Sequence, residues 1–162
     1  MSKGKTPSTP AIRLLKERSV AFTLRFYKYQ ERGGTRVAAR ELAVDEHLTV
    51  KTLVMEDNNR HPLIILMHGD LEVSTKALAR ELNVKSIISC DTKVAQRHTG
   101  YMVGGTSPFG TREKLPVYME ESIRDLPCLL INGGRRGLLV EMSPSDLIEV
   151  LHPYYVNVGI SP

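Results

Sequence analysis

Two pairs of apolar runs constrain this chain more than any other feature. Leu48 to Met55 and Pro62 to His68 are strand-like and joined through EDNNR. Leu129 to Asn132 and Leu138 to Met142 flank GGRRG. Strand-like runs separated by a short Asn-, Asp- or Gly-rich segment are hairpin signatures, so each pair predicts two antiparallel neighbours. Helical signals lie between them. Thr9-Pro10 reads as an N-cap with proline at the first helical position, followed by Ile12, Leu14 and Leu15 in a short amphipathic helix to about Arg18. Thr35 can cap a helix through Leu42, Ser74 to Leu82 is a helix with Ala77, Leu78 and Leu82 inward, and Asp91 caps one through His98. Ser143-Pro144 opens the last helix, Ser145 to Leu151. Val20 to Tyr29 alternates, with Phe22, Leu24 and Phe26 on one face and Thr23, Arg25 and Tyr27 on the other. Ser86 to Cys90, Pro116 to Met119 and Tyr155 to Val158 are short extended pieces. Strands that occur mainly as hairpins, with helices inserted between them, predict an α/β (α+β) fold. Its core is a mixed, largely antiparallel sheet or partial barrel with surrounding helices.

No repeat or linker divides the 162 residues, which is a length for one domain with a proper core. The predicted organisation is a disordered lead over 1–8 and a single domain over 9–160. The longest apolar run, Pro62 to Met67, is too short to span a bilayer, and MSKGKTPSTP lacks the apolar stretch of a secretory signal. A cytoplasmic protein is expected, with Cys90 and Cys128 as buried free thiols. The net charge of +4 is unevenly spread. Residues 1–40 hold ten Lys and Arg against Glu17 and Glu31, a net +8, so the remainder sums to −4. A basic end on a near-neutral body suits a polyanion such as RNA, or is a solvated face with no partner.

Ordinary catalytic motifs are missing. None of His47, His61, His68, His98 and His152 pairs with Cys, Asp or Glu at a metal-ligand spacing, and a strand-end turn explains His68-Gly69-Asp70. There is no phosphate-binding P-loop and no nucleophile elbow. What stands out is Thr99 to Gly110, TGYMVGGTSPFG, between a predicted helix and a predicted strand. Gly104-Gly105 looks like part of a dinucleotide fingerprint, but that site needs the order strand, loop, helix. A loop of this kind brings bare N–H groups close to a ligand, as an anion or oxyanion site. The plainer alternative is a tight turn.

Four segments, TPAIRLLKERSVAFTLRFY, VKTLV, VAQRHTGYMVGGTSPFG and INGGRRGLLVEMSPSDL, together resemble the YbaK-type free-standing aminoacyl-tRNA deacylases, relatives of the editing domain inserted in bacterial prolyl-tRNA synthetases. The resemblance runs from about Pro7 to Val158. It implies hydrolysis of the ester between a misplaced amino acid and the 3′ end of tRNA, in trans beside prolyl-tRNA synthetase, with Cys on the proline tRNA as the implied substrate. It implies no metal and no cofactor, because the thiol of the substrate cysteine attacks its own carbonyl.

The resemblance also implies roles for particular residues. Lys51 matches the key lysine, a cation for the phosphate or adenosine end and for charge at the ester; alternation with Leu53 turns it inward or towards a cleft. Gly104 opens the loop, its N–H and that of Gly105 or Thr106 polarising the carbonyl, while Ser107 and Pro108 complete a substrate-binding loop in which Ser107 reads nearly as well as a loop-stabilising hydroxyl. Tyr27 matches a pocket tyrosine. Asp146 matches a family aspartate, although an acidic residue in a first helical turn is explained by the helix alone. Arg135 and Arg136 at the second hairpin tip are candidate tRNA contacts or a solvated turn. The chain departs from the pattern at Thr106 and Phe109, where isoleucine and leucine are common, and at Asn132, where a small hydroxyl residue is common. Such changes bear on which amino acid is accepted. The alternatives are a deacylase for Ala or Ser and a non-catalytic module that binds tRNA or a synthetase.

Overall fold

The computed structural model describes residues 7–162; positions 1–6 of the lead predicted over 1–8 lie outside the described residues. In chain order the elements are α1 (Pro10–Glu17), β1 (Thr23–Phe26), α2 (Gly34–Leu42), a 3-10 turn (Glu46–Leu48), β2 (Thr49–Asp57), β3 (Pro62–His68), β4 (Glu72–Val73), α3 (Thr75–Leu82), β5 (Ile87–Ser89), α4 (Thr92–Thr99), β6 (Val117–Glu120), a second 3-10 turn (Glu121–Asp125), β7 (Leu129–Arg135), β8 (Leu138–Met142), α5 (Pro144–Leu151), β9 (Tyr154–Val156) and β10 (Gly159–Ile160). Both hairpins form. The capping signals work as side-chain acceptors: Thr9 takes the N–H of Ile12, Ser74 that of Ala77, Asp91 that of Lys93 and Ser143 that of Asp146. Each satisfies a helical donor that would otherwise go unpaired.

The sheet is mixed, in the order β1-β8-β7-β2-β3-β6-β9, with β5 also against β2, and it does not close into a barrel. Its antiparallel contacts are the two hairpins, β1 on β8, and β5 on β2. Three contacts are parallel: β7 on β2, β6 on β3 and β9 on β6. β3 sits inside the sheet with apolar packing on both sides. Ile64 and Leu66 join α1's Ala11, Ile12 and Leu15 in one core cluster, while Leu63, Ile65 and Met67 join Leu78 of α3 in a second. Burial on both faces explains why its sequence is a continuous apolar run rather than an alternating one. A third, smaller cluster holds Ala38 of α2 against Leu130 and Leu139.

Some expectations are corrected. Gly33, not Thr35, precedes the second helix; no side chain caps it, and the Thr35 hydroxyl lies near Glu46 Oε2 (2.9 Å) and the Gly69 carbonyl (3.1 Å). The strand predicted over Val20–Tyr29 shrinks to Thr23–Phe26, the four residues that pair with Leu138–Glu141 of β8. Phe26 is 55% exposed rather than packed. The strand predicted over Tyr155–Val158 is β9 and ends at Val156; beyond it the buried carboxylate of Glu120 accepts the N–H groups of Val158 and Gly159 at 2.7 and 2.9 Å. The two cysteines are free but only half-buried.

Candidate active site

A break in the pairing of β2 makes the site. Along β3 the strand pairs over seven consecutive positions, from Val50↔His68 to Glu56↔Pro62. On its other edge β7 pairs only at Thr49 and Val50, and β5 only from Met55 to Asp57. Between them the edge at Lys51 to Leu53 has no strand beside it. A cleft of about 600 Å³ opens there. Lys51, Thr52 and Leu53 line it, together with Tyr27, Tyr29, Cys90, Gly104, Thr106, Asn132 and Arg136.

The glycine loop runs along the rim of this gap. It follows α4, which ends at Gly100 with φ +81°, and packs on the β7–β8 hairpin. A Cβ on Gly105 would lie 2.8 Å from the backbone nitrogen of Arg136 and 3.0 Å from the carbonyl carbon of Arg135, so only glycine fits there. Gly104 has φ +88°, and a Cβ on it would meet the Tyr29 hydroxyl at 2.5 Å. Asn132 fastens the loop: its side-chain amide donates to the Gly104 carbonyl at 3.1 Å. Its Oδ1 accepts the N–H groups of Gly134 and Arg135 at 2.6 and 3.1 Å, where β7 bulges out of register with β8. Arg136 Nε donates to the Val103 carbonyl at 2.9 Å, and its guanidinium lies 5.0 Å from the centre of the Tyr29 ring. Tyr29 and Asn132 therefore complete the rim, although the sequence marked Tyr29 only as part of an alternating strand and Asn132 only as an unusual residue.

Free backbone donors are distributed unevenly in the loop. The Gly105 N–H is already given to the Met102 carbonyl at 2.8 Å, closing a turn. The N–H groups of Gly104 and Thr106 have no hydrogen-bond partner among the described residues. Bare N–H groups facing a cleft stabilise a developing negative oxygen. Gly105 thus shapes the loop while Gly104 and Thr106 supply its free donors.

Lys51 lines the cleft as expected, and its ammonium donates to the Leu71 carbonyl. Burial lowers its pKa from the usual lysine value, while the carboxylates of Glu72, Glu46 and Asp70 oppose that shift. The turn that supplies the Leu71 carbonyl is itself anchored: Gly69 donates to the Thr49 carbonyl at 2.7 Å, and Asp70 holds His47 Nδ1 at 2.9 Å. His47 stacks on His68 with ring centres 3.8 Å apart. His47, His68 and Asp70 bring ligand-type atoms within 4.8 Å of one another. His68, however, gives Nδ1 to the His47 carbonyl and uses Nε2 with the Ser122 hydroxyl at 2.7 Å, and burial lowers its pKa. Both of its nitrogens are committed, so the cluster reads as a support for the turn.

The other expected site residues divide. Tyr27 lines the cleft, and burial raises its pKa above the ordinary tyrosine value. Arg136 is at the rim, whereas Arg135 is exposed outside the lining. Ser107 and Pro108 are buried away from it; Ser107 accepts the N–H of Phe109 and stabilises the loop from behind. Phe109 is fully buried in the main core, so of the two departures in the loop only Thr106 reaches the cleft. Asp146 sits in the first turn of α5, outside the lining. Cys90 does line the cleft, but burial and the Glu56 carboxylate push its thiol up to about 12. A thiol held protonated in this way is a poor nucleophile at neutral pH.

Comparison with known proteins is consistent with this geometry. EbsC of Enterococcus faecalis, provisionally named a Cys-tRNA(Pro)/Cys-tRNA(Cys) deacylase, is 25% identical over 160 residues, covering 98% of each chain. A proline–tRNA ligase of Brachyspira hyodysenteriae is 23% identical over 86 residues, 53% of this chain and 15% of the ligase. A crystal structure provisionally described as a trans-editing enzyme for prolyl-tRNA synthetase superposes with a TM-score of 0.81 at 18% identity, covering 96% of this chain and all of that one. Among the described residues, no helix is long and apolar enough to cross a membrane. The Aminoacyl-tRNA editing domain family matches residues 33–150, a span that contains β2, the glycine loop and the bulged hairpin; the chain belongs to that family.

Proposed function

We propose that the protein hydrolyses the ester joining a misplaced amino acid to the 3′ end of tRNA, acting in trans beside prolyl-tRNA synthetase in the cytoplasm, with Cys on the proline tRNA as substrate. The observation that carries this reading is the pairing, in one cleft, of the free N–H groups of Gly104 and Thr106 with the ammonium of Lys51. The N–H groups receive the carbonyl oxygen as it gains negative charge. Lys51 adds positive potential beside it. Burial and the Glu56 carboxylate push the cleft's own thiol up, and in this reading the thiol of the substrate cysteine is the nucleophile. The cysteine sulfur attacks the carbonyl carbon, the bond to the ribose 3′ oxygen breaks, and the thiol proton ends on that oxygen. Water then opens the resulting thiolactone to free cysteine. The names of EbsC and of the prolyl-tRNA synthetase trans-editing structure support this substrate and partner.

The test is deacylation of Cys-, Ala- and Ser-charged proline tRNA by the wild type and by Lys51→Ala. Cys-tRNA cleaved well above the buffer rate, falling about 100-fold or more in the variant, is the expected result. Cleavage of Ala- or Ser-tRNA but not Cys-tRNA removes the thiol step and leaves a deacylase for another residue. No cleavage of any ester overturns the enzyme and leaves a binding module.

A further inference from the structure

We propose that Thr52 anchors the α-amino group of the substrate; this rests on the deacylase reading above and names a contact within the same cleft. The Val54 carbonyl accepts the N–H of Cys90 at 3.0 Å, and the Thr49 carbonyl accepts that of Gly69 at 2.7 Å. Main-chain groups of successive strand residues point to alternate sides. Thr49, Lys51 and Leu53 therefore turn theirs towards β3, and Val50, Thr52 and Val54 turn theirs away. Val50 has β7 beside it, and Val54 has Cys90. Thr52 has no strand opposite, so its carbonyl and N–H face the gap.

Its side chain points to the same conclusion. The Thr52 hydroxyl oxygen is buried and has no hydrogen-bond partner. Among the described residues the one other buried side-chain polar atom without a hydrogen bond is His98 Nδ1, and that lies 3.0 Å from the Glu113 carboxylate. An orphaned hydroxyl costs stability, and native chains retain few of them. Thr52 is among the residues that line the cleft, and a ligand seated against it can supply the missing partner. An amino ester carries two polar groups, the amine and the carbonyl, each bonded to its α-carbon. Its carbonyl needs donors, which Gly104 and Thr106 provide. Its amine needs acceptors: the Thr52 carbonyl faces the same gap, and the buried Thr52 hydroxyl beside the cleft is an acceptor without a partner.

The experiment uses hydrolysis-resistant 3′-amide analogues of cysteinyl-adenosine and of its α-hydroxy counterpart, which differ at the amine alone. Binding is measured by calorimetry to the full chain, to Thr52→Val and to Thr52→Ser. Deacylation of the matching esters on proline tRNA is followed in parallel. The wild type should bind the amino form about tenfold more tightly. Thr52→Val should lose most of that preference through KM rather than kcat, Thr52→Ser should keep it, and Thr52→Val should melt no lower than the wild type, since it removes an unsatisfied group without changing shape. Equal affinity for the two analogues, no binding of either, or a preference that survives in Thr52→Val overturns the anchor. Cleavage of the esters without amine discrimination leaves deacylation standing and removes the anchor. Discrimination without cleavage does the reverse.

Discussion

The two hairpins of this protein start from similar signals and end in different work. β2–β3 pairs without interruption over seven positions and closes through Asp57, whose carboxylate accepts the N–H groups of Asn59 and His61 at 2.8 and 2.9 Å. β7–β8 slips out of register between Asn132 and Arg135. The regular hairpin puts apolar side chains into two cores. The irregular one gives up ladder pairing to carry the glycine loop, through the Asn132 amide and the tight seat of Gly105 on Arg135 and Arg136. A bulge re-aims side chains and ends pairing, which is what a site at a strand edge needs. The regular hairpin therefore supplies the strand edge that carries Lys51, and the irregular one seats the glycine loop across the candidate site from it.

The sharpest way to break the comparison is Gly105→Ala. Its Cβ collides with backbone rather than with a movable side chain. The loop must leave the hairpin, misplacing the Gly104 and Thr106 donors, so deacylation should fall about 100-fold. Wild-type rates would show that the loop is not seated where the site requires it. Next is Asn132→Ala, which frees the Gly104 carbonyl and the bulge together. About a tenfold loss in kcat is expected, with KM moving less. A fall in thermal stability without any change in kcat would assign Asn132 to the hairpin alone.

A smaller effect probes the chemistry carried by the regular hairpin. Burial lowers the Lys51 pKa, and Glu72 is the largest of the influences that raise it. Activity that needs the ammonium is present below that pKa and lost as pH rises through it, in a range below the ordinary lysine value. Glu72→Gln should move this alkaline limb to still lower pH, and Lys51→Arg should remove it. An unmoved limb would detach it from Lys51. The smallest effect is a control. Arg60 sits in the first hairpin's turn with φ +62°, a conformation glycine adopts at less cost. Arg60→Gly should leave kcat/KM unchanged and alter stability by no more than about 1 kcal/mol in a denaturant titration.

Much of this was legible because its signals are local. The hairpins, the caps at Thr9, Ser74, Asp91 and Ser143, and the cleft-facing Lys51 follow from spacing of two to four residues. The failures have long-range causes. Thr35 has the chemistry of an N-cap, but Glu46 and the Gly69 carbonyl hold its hydroxyl. Phe109 reads as a pocket residue until the core closes over it, and its carbonyl takes the Tyr101 hydroxyl at 2.6 Å. Tyr29 becomes part of the rim only because Gly104 is folded beneath it.

By itself the sequence determined the five α-helices and the strands of the main sheet, though not the short β4–β10 pair, together with the hairpin pairings and the loop able to offer bare N–H groups, since each depends on side-chain period, caps and turn residues close together in the chain. Tertiary structure alone decided the joins of β2 with β7 and with β5, and with them the gap at Lys51 to Leu53. That gap depends on where two strands distant in sequence stop pairing with a third. Their ends are set by the Asn132 bulge and by packing across the sheet, and no neighbouring residue in the chain specifies them.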